Sequence, residues 1–556
     1  MGWCLLLFAS LASAQFFDLQ QKYSSKVAPC DDFTKYVCAS DENKVDALFK
    51  VQHWDEFATK IRPLVYAYSD PGMERIKKIL FAQKENYYLS EMGKKVGRSA
   101  AQNMHPDITV DSTEFGPTKT VRVTVDERLS VRRPTEECIL KYCPAYIQGI
   151  VVGYKSEIDL KSRINSKTVV NYSKQIKFPS VEVPEKEKVE IFDYFFNEKF
   201  SAYANAVTAK LAVEHKIYLS EEGRRRAETM NQEIRAAVAK KFRSLKWLSN
   251  SEQIAKHVES IRVIYGIAQE FIEHPEYIDE MLAFYENEVQ RNFEHEKRNK
   301  GCKDLTCEMD VLKQVYIMAA KRYTNIHPER ENFSNLMIRE TFEPFSMNTF
   351  GGYNPNLGVL TIHPETILLL NNLALPDGLI YGTVGTIMAH ELHHAIDFGQ
   401  NGGVMDIYQQ DPRGERARQC LSDFYGSFPI VQGGQVIFEN GSMKIDEGFA
   451  DLEGSRTVLK ILTDRRASFG RKKRETSVSS FSDVEWFFFG LAKIACFHLG
   501  DDKQAFEASR FEYHPRMNIR FNAVLLQMPE FSKYFRCRPG DNMFRVERLC
   551  EPFPLD

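Results

Sequence analysis

Apolar residues recur at helical spacing through most of the amino-terminal half of the chain. The segments LAVEHKIYL, MNQEIRAAVAKKF and DVLKQVYIMAAKRY lie between residues 190 and 325, with few glycines or prolines inside them. Apolar positions three and four residues apart are typical of amphipathic helices. The same spacing runs from Met73 to about Ala101. We therefore predict a mainly helical half.

Strand-like patterns interrupt the helical spacing at two places. Residues 108–131 alternate between apolar and polar positions, most clearly over 118–125. After Pro344, the stretch FSMNTFGGYNPNLGVLTIH has short β-type runs between Gly, Asn and Pro, which predicts a small sheet with a hairpin. A long helix is then expected from about Asp377 to Phe398. The predicted fold class is mainly α, with some β structure.

The first residues, MGWCLLLFASLASAQ, resemble a secretory signal. Their apolar run is too short to span a bilayer, and Ala12, Ser13 and Ala14 form a small-residue cleavage pattern. We expect a signal peptide at residues 1–14 and a secreted protein with no stable membrane anchor after cleavage. An uncleaved anchor stays the alternative, because no basic residue lies near the start.

Composition and charge narrow the possible partners. The 556 residues are 43% hydrophobic and 27% charged, as in ordinary globular proteins. The net charge of -3 gives no attraction to polyanions, so no nucleic-acid partner is expected. The basic block Arg471–Arg474 is interpreted as an exposed loop, with a proteolytic processing site as the alternative.

The cysteines favour disulfides over a zinc site. There are eleven, and removal of Cys4 with the signal leaves an even number, with no CxxC pair among them. Two pairs are close in sequence, Cys138 with Cys143 and Cys302 with Cys307. The other six need distant partners: Cys30, Cys38, Cys420, Cys496, Cys537 and Cys550. Glycosylation sequons at Asn171, Asn332 and Asn440 agree with a secreted protein.

The stretch MAHELHHAID contains three histidines and one acid that could bind a metal. At about 100° per residue on a helix, His394 lies about 40° from His390, and Glu391 lies on the same side. His393 lies nearly across the helix from Glu391, so only His390 and His394 bring the acid next to a metal. This is the HExxH arrangement, in which two imidazoles bind zinc and the glutamate activates water.

A catalytic zinc ion needs a third protein ligand, and KIDEGFADLEGS offers one. Glu447 and Asp451 are one helical turn apart and share a face, so Glu447 can bind the metal while Asp451 contacts an imidazole. Asp397 lies within about 20° of His390 around the helix and can play the same supporting part. A polar helix face is the alternative explanation for the acidic residues.

Further motifs then identify a resemblance to the neprilysin and endothelin-converting-enzyme family of zinc metallopeptidases. In the family's order, the chain has PCDDFTKYVC, KWLSNSEQIAKHVESI, MNTF, HELHHAID, EGFAD, HPRMNIR and FRCR. The resemblance implies a thermolysin-like catalytic domain with a small sheet, and a reduced helical cap domain over the active-site cleft. We place the cap at residues 15–325 and the catalytic domain at residues 326–556.

The resemblance also implies a role for each matching residue. One Zn²⁺ per chain would be bound by His390, His394 and Glu447, with Glu391 as catalytic acid and base. The remaining roles are implied for the following residues: Asp397 and Asp451 orient ligands, His514 stabilises the oxyanion, and Asn348 and Arg520 bind the substrate. Ile387 matches an apolar pocket residue of the family, but core packing explains it equally well, and we leave it outside the predicted site.

The resemblance implies disulfides that join distant parts of the chain. The implied pairs are Cys30 with Cys537, Cys38 with Cys496, Cys420 with Cys550, and Cys138 with Cys143. Cys302 with Cys307 has no counterpart that we can place in the family.

Two positions depart from the family pattern near the site, since Gly351 and Ile494 replace aromatic residues. The predicted function is that of a secreted zinc metalloendopeptidase that cuts oligopeptides on the amino side of apolar residues. The alternative is a weak or inactive family member that binds peptides outside the cell. The sequence leaves open whether the protein is a monomer or a disulfide-linked oligomer.

Overall fold

The computed structural model describes most of the chain outside the amino terminus and several connecting segments. The described residues are 27–38, 56–81, 108–113, 120–125, 185–302, 305–328, 350–354, 358–396, 411–432, 435–468, 482–496, 513–544 and 549–554. The predicted signal peptide, the Arg471–Arg474 block and the pair Cys138 and Cys143 lie outside them.

Helices dominate the first half, as the apolar spacing predicts. They are α1 (Phe33–Cys38), α2 (Glu56–Ala67), α3 (Pro71–Phe81), α4 (Glu185–Glu214), α5 (Glu221–Ser244), α6 (Ser251–Ser260), α7 (Gln269–Glu273), α8 (Pro275–Asn299) and α9 (Leu305–Ile326). Local signals explain individual ends: Ser220 caps α5 by accepting a hydrogen bond from the backbone N–H of Gly223, and Pro275 occupies the first turn of α8.

The predicted strands are present. Strands β1 (Ile108–Thr113) and β2 (Thr120–Val125) pair antiparallel. Strands β4 (Gly351–Asn354) and β5 (Val359–Ile362) form the predicted hairpin, with Gly351 opposite Ile362. A third strand, β3 (Arg262–Tyr265), pairs parallel with β5 and makes it the central strand. Strand β3 lies inside the segment predicted to be helical, so the sequence prediction missed it.

The carboxy-terminal half contains the helices around the candidate site. They are α10 (Pro364–Ile367), α11 (Asp377–Ile380), α12 (Thr386–His394), α13 (Pro412–Tyr425), α14 (Ile445–Ser468), α15 (Asp483–Ala495), α16 (Met517–Leu526) and α17 (Pro529–Phe535), and the strands of a second hairpin are β6 (Pro429–Gln432) and β7 (Gln435–Phe438). A π-helical turn, Tyr381–Gly385, joins α11 to α12, so the long helix begins at Asp377 as predicted. Its predicted end at Phe398 lies beyond the described residues.

Two apolar cores meet at the three-stranded sheet. Helices α2–α4 and α7–α9 form one core, and α1, α5, α6 and the carboxy-terminal helices form the other. Side chains of β5 alternate between them, since Val359 packs in the first and Leu360 in the second. The sheet is therefore held from both faces. The domain limits near residue 325 stay a prediction.

The amino-terminal segment packs against the carboxy-terminal helices. Phe33 in α1 lies within an aromatic cluster with Phe489, Phe531 and Phe535, at ring-centroid distances of 4.7–5.7 Å. Thr34 donates both its backbone N–H and its hydroxyl to Asn522 Oδ1, each at 2.9 Å. This contact spans nearly the whole chain.

Four disulfides are present in the described residues. They join Cys30 to Cys537, Cys38 to Cys496, Cys420 to Cys550 and Cys302 to Cys307. The first three are the pairs that the family resemblance implied, and the fourth is the local pair expected from sequence proximity.

Among the described residues, no helix combines the length and the apolar character that crossing a bilayer requires.

Candidate metal centre

The helix with the HExxH stretch is buried almost all around. Every residue of α12 from Thr386 to His393 is buried. At Gly382 in the preceding π turn, a Cβ would lie 2.2 Å from the backbone oxygen of Phe487 in α15, so only glycine permits this approach. Tight packing of this kind fixes the axis of the helix and the directions of its histidines.

Helix α14 brings the third candidate ligand to the same point. It packs against α12 so closely that a Cβ at Gly454 would lie 2.9 Å from the backbone nitrogen of His390. Glu447 lies in the first turn of α14, where a carboxylate is favoured by the helix dipole. Gly454 therefore sets the separation of the two helices, and the helices set the distance between Glu447 and the histidines.

The three predicted ligands converge. The Nε2 atoms of His390 and His394 lie 2.9 Å apart. The carboxylate of Glu447 lies 3.4 Å from His390 Nε2 and 3.5 Å from His394 Nε2. One ligand atom from each residue lies within 4.8 Å of the others. Two imidazole nitrogens and one carboxylate are the ligand set of many catalytic zinc sites, so these residues fit zinc.

Asp451 supports His390 from behind. Its Oδ1 lies 2.9 Å from Nδ1 of His390, the ring nitrogen that points away from the ligand cluster. Arg520 donates to the same carboxylate from Nε at 2.6 Å and from Nη2 at 2.8 Å. Burial raises the pKa of Asp451, but Arg520 and His390 outweigh it and lower the pKa to about 2. The carboxylate is therefore charged and held on two sides.

Arg520 is buried and tied to the acidic residues of the site. Besides Asp451, its guanidinium contacts Glu447 Oε2 at 3.3 Å. It also lines the cavity beside the three candidate metal ligands. The sequence predicted a substrate-binding role for Arg520, and the structure adds its contact with the residue that supports His390.

The predicted acid, Glu391, is buried and lines the same cavity as His390. Strand β4 begins beside it, and a Cβ at Gly351 would lie 3.2 Å from Cγ of Glu391. The glycine that departs from the family pattern thus lies against the predicted catalytic acid, where a larger residue would press on it.

His514 reaches the cluster from another part of the chain. Its Nε2 lies 3.1 Å from Glu447 Oε2, and its side chain is 48% exposed. It lies on the irregular residues 513–516, directly before α16. An imidazole at the open side of a metal cluster can donate a hydrogen bond to a group bound there.

His393 points away from the cluster, as the helical-wheel argument predicts. Its Nδ1 lies 2.6 Å from the carbonyl oxygen of Ala389, and its ring packs against Phe449 at 5.8 Å. Burial lowers its pKa to about 4. His393 is thus a neutral core residue.

The cleft beside the cluster has a volume of about 300 Å³ and a largely apolar wall. Ile387 lines it, although we left this residue outside the predicted site, and so does Ile494. Phe350, Met517 and Phe521 also line it and were missed. The spacing of four residues between Met517 and Phe521, one turn of α16, was a signal for a shared face.

The other predicted residues lie away from the three candidate metal ligands or outside the described residues. Asn348, Asp397, Asn171 and Asn332 fall outside the described residues. Asn440 is exposed at the start of the turn before α14.

Comparisons with known proteins find a similarity to one peptidase family in the carboxy-terminal part of the chain. Residues 353–550 match the sequence model of peptidase family M13. An endothelin-converting enzyme homolog of Locusta migratoria is 25% identical over 338 residues, which are 58% of this chain and 42% of that protein. Neprilysin-2 of Caenorhabditis elegans is 26% identical over 200 residues, covering 34% of this chain and 26% of the relative. The chain spans less than half the length of these relatives.

A solved structure shares the fold. A zinc metalloprotease of Mycobacterium tuberculosis, solved with an inhibitor, aligns with a TM-score of 0.52 over 96% of this chain and 98% of its own, at 13% identity. This likeness shows the fold, and within it His390, His394 and Glu447 match the ligand set of many catalytic zinc sites. The matched segment, residues 353–550, contains Glu391, His390, His394 and Glu447, so the part of the chain around the candidate site is similar to peptidase family M13.

Proposed function

We propose that this protein is a zinc metalloendopeptidase that hydrolyses oligopeptides. The observation in its support is the convergence of His390, His394 and Glu447 beside a cleft that His390 and Glu391 line. A cleft beside a set of metal ligands and a buried carboxylate suits hydrolysis, because electrostatic interactions are stronger where surrounding protein lowers the dielectric constant.

The chemistry divides between the metal and the side chains around it. His390, His394 and Glu447 would hold zinc, and the bound ion would supply Lewis-acid chemistry at the substrate carbonyl. Glu391 accepts a proton from the water that attacks the peptide carbonyl and delivers it to the leaving amine. His514 donates a hydrogen bond to the developing oxyanion, and Asp451 keeps His390 oriented. Asp397 is proposed to support the histidines in the same way.

The cleft favours a substrate with an apolar side chain after the cut bond. Phe350, Ile387, Ile494, Met517 and Phe521 offer an apolar wall of limited volume. Cleavage on the amino side of apolar residues, and a preference for oligopeptides, agree with these dimensions. Asn348 and Arg520 are proposed to bind the substrate main chain.

We also propose that the protein acts outside the cell. Disulfides form and persist in oxidising compartments, and four are present in the described residues. The signal-peptide pattern at residues 1–14 and the sequon at Asn440 agree with secretion.

The direct test is Glu391→Gln, assayed on a panel of short peptides together with the wild-type protein. The variant should bind zinc stoichiometrically and lose at least about 100-fold in kcat, as expected when a general base is removed. Glu530→Gln on the exposed start of α17 is the matched control and should keep wild-type activity. Equal rates for Glu391→Gln and wild type would contradict the mechanism. If the wild-type protein binds zinc stoichiometrically but hydrolyses none of the peptides, a peptide-binding role is favoured instead.

A further inference from the structure

His514 depends on its backbone for its position at the metal cluster. Its side chain is half exposed and lies on the irregular residues 513–516. Residues in irregular segments are generally more mobile than residues inside helices. The position of the imidazole, 3.1 Å from Glu447, therefore depends in part on the contacts that fix the backbone of residues 513–516.

A buried ammonium group fixes that backbone. Lys444 Nζ donates to the carbonyl oxygen of His514 at 3.0 Å, and the lysine side chain is only 1% exposed. Lys444 ends the 3₁₀ turn Gly441–Lys444, and Glu447 follows three residues later in α14. The same short segment thus contains both a candidate metal ligand and the group that holds the His514 backbone.

A buried carboxylate joins the ammonium group to the other end of the His514 segment. Glu439 lies with Oε2 3.8 Å from Lys444 Nζ and with Oε1 3.1 Å from Nε of Arg516. Arg516 follows His514 by two residues and donates to the carbonyl oxygen of Pro429 on β6. The segment is therefore held before α16 by charges from two separate elements.

Stability alone is a poor explanation for this cluster. The desolvation of buried ions offsets much of their Coulombic attraction. Apolar residues of the same volume often stabilise a fold at least as much as a buried ion pair does. The hydrogen bond from Lys444 to the carbonyl oxygen of His514 does provide direction, because a charged hydrogen bond requires an aligned donor, whereas Glu439 contacts Lys444 and Arg516 as ion pairs. Through this directional hydrogen bond, Lys444 fixes the carbonyl oxygen of His514 relative to Glu447.

We propose that Lys444 and Glu439 are positioning residues that hold His514 where its imidazole meets the oxyanion of the tetrahedral intermediate. The inference rests on the proposed peptidase function. Neither residue touches the substrate, and both act through the backbone of the 513–516 segment.

The principal test is Lys444→Met, which keeps the apolar stem and removes the ammonium group. We expect kcat to fall about 10- to 100-fold, below the loss for a deleted oxyanion donor, with KM and zinc content little changed. Lys444→Arg should restore much of the loss. Lys241→Met is the matched control, because it removes an ammonium group from the buried Glu453 in α14, and it should keep wild-type kcat.

A double-variant comparison separates positioning from general weakening of the fold. If Lys444 acts through His514, Lys444→Met should cause no further loss of kcat in a His514→Ala background. Glu439→Gln, which keeps the side-chain volume, should show the same lack of additivity and serves if Lys444→Met does not fold. Lys444→Met and Glu439→Gln, each as a single variant, should also bind a phosphonopeptide, a mimic of the tetrahedral intermediate, about 10-fold more weakly than wild type. Additive losses, or unchanged phosphonopeptide affinity, would overturn the inference.

The outcome also distinguishes this inference from the proposed function. A zinc-loaded wild type that turns over peptides, with Lys444→Met equally fast, overturns the positioning role and leaves the peptidase intact. A zinc-loaded wild type without turnover overturns both.

Discussion

Neighbouring histidines have opposite roles at the residue scale. His394 faces Glu447 across the metal cluster, whereas His393 is buried between the Ala389 carbonyl and Phe449. One step along a helix turns a side chain by about 100°, which is enough to move an imidazole from the cleft into the core. The role therefore follows from position on the helix and not from residue type.

Substitution by alanine should separate the two histidines. His394→Ala should lose zinc, because one of three converging ligands is removed. His393→Ala should keep zinc but lower the free energy of unfolding by about 1–3 kcal/mol, because loss of the buried ring leaves a cavity. Metal analysis and urea unfolding measure the two effects. Loss of zinc from His393→Ala at full folding would show that the ligand assignment is wrong.

At the scale of elements, the site depends on the distance between α12 and α14. Gly454 sets that distance, since a Cβ there would lie 2.9 Å from His390 N and 3.2 Å from its Cα. Because both obstacles are backbone atoms, neither can rotate away. We predict that Gly454→Ala separates the helices and lowers zinc affinity at least about 10-fold, as for other changes in the supporting shell.

The control for this substitution is Gly352→Ala on β4, where nothing lies within 4 Å of an added Cβ. Competition with a chelator of known affinity measures both variants. Equal zinc affinity for Gly454→Ala and wild type would mean that α14 shifts without moving Glu447.

Helix α14 also contains a buried acid whose ionisation should affect stability. Glu453 forms ion pairs with Lys241 of α5 and with Arg456 at 2.9 Å, and Arg456 donates to the carbonyl oxygen of Cys550. Burial opposes its charge, but the two cations lower its pKa to about 2. Its contribution is therefore complete above the unfolded pKa of about 4.5 and is lost as the pH falls towards 2.

Glu453→Gln should reveal that dependence. Near pH 7, the variant should unfold with about 3 kcal/mol less free energy than wild type, because two cations lose their partner. The difference should shrink as the pH is lowered from about 4.5 towards 2. Urea unfolding of both proteins across this range measures it, and a difference that is constant with pH would rule out the ion pair as its source.

The sequence predicted the helices and strands better than the tertiary contacts between them. The hairpin of β4 and β5 and the start of the long helix at Asp377 were predictable, because Gly, Asn and Pro punctuation and apolar spacing are local signals. Strand β3 was not, since its four residues lie among helices and its partner β5 comes about a hundred residues later. The contact of Arg520 with Asp451 was not predictable either, because the two residues are 69 positions apart and no local spacing pattern indicates such a contact.

At the scale of the whole molecule, two disulfides join the ends of the chain. Cys30 and Cys537 are 507 residues apart, and Cys38 and Cys496 are 458 apart. Between them, α1 packs into the aromatic cluster with Phe489 and Phe531. Cys38–Cys496 follows α15, whose backbone contacts the π turn before α12. The amino-terminal segment thus supports the active-site helix through one intervening helix.

Removal of one long bridge should cost far more stability than removal of a short one. A cross-link restricts the unfolded chain more as its loop grows. With Cys30–Cys537 intact, Cys38–Cys496 closes a loop of about 50 residues, so Cys38→Ser with Cys496→Ser should lower the free energy of unfolding by about 4 kcal/mol. The control pair, Cys302→Ser with Cys307→Ser, closes a loop with a separation of only 5 and should cost about 2 kcal/mol. Urea unfolding under identical zinc concentration measures both, because bound metal adds to apparent stability. If the two losses are equal, the long bridge acts by local packing beside α15 and not by restricting the unfolded chain.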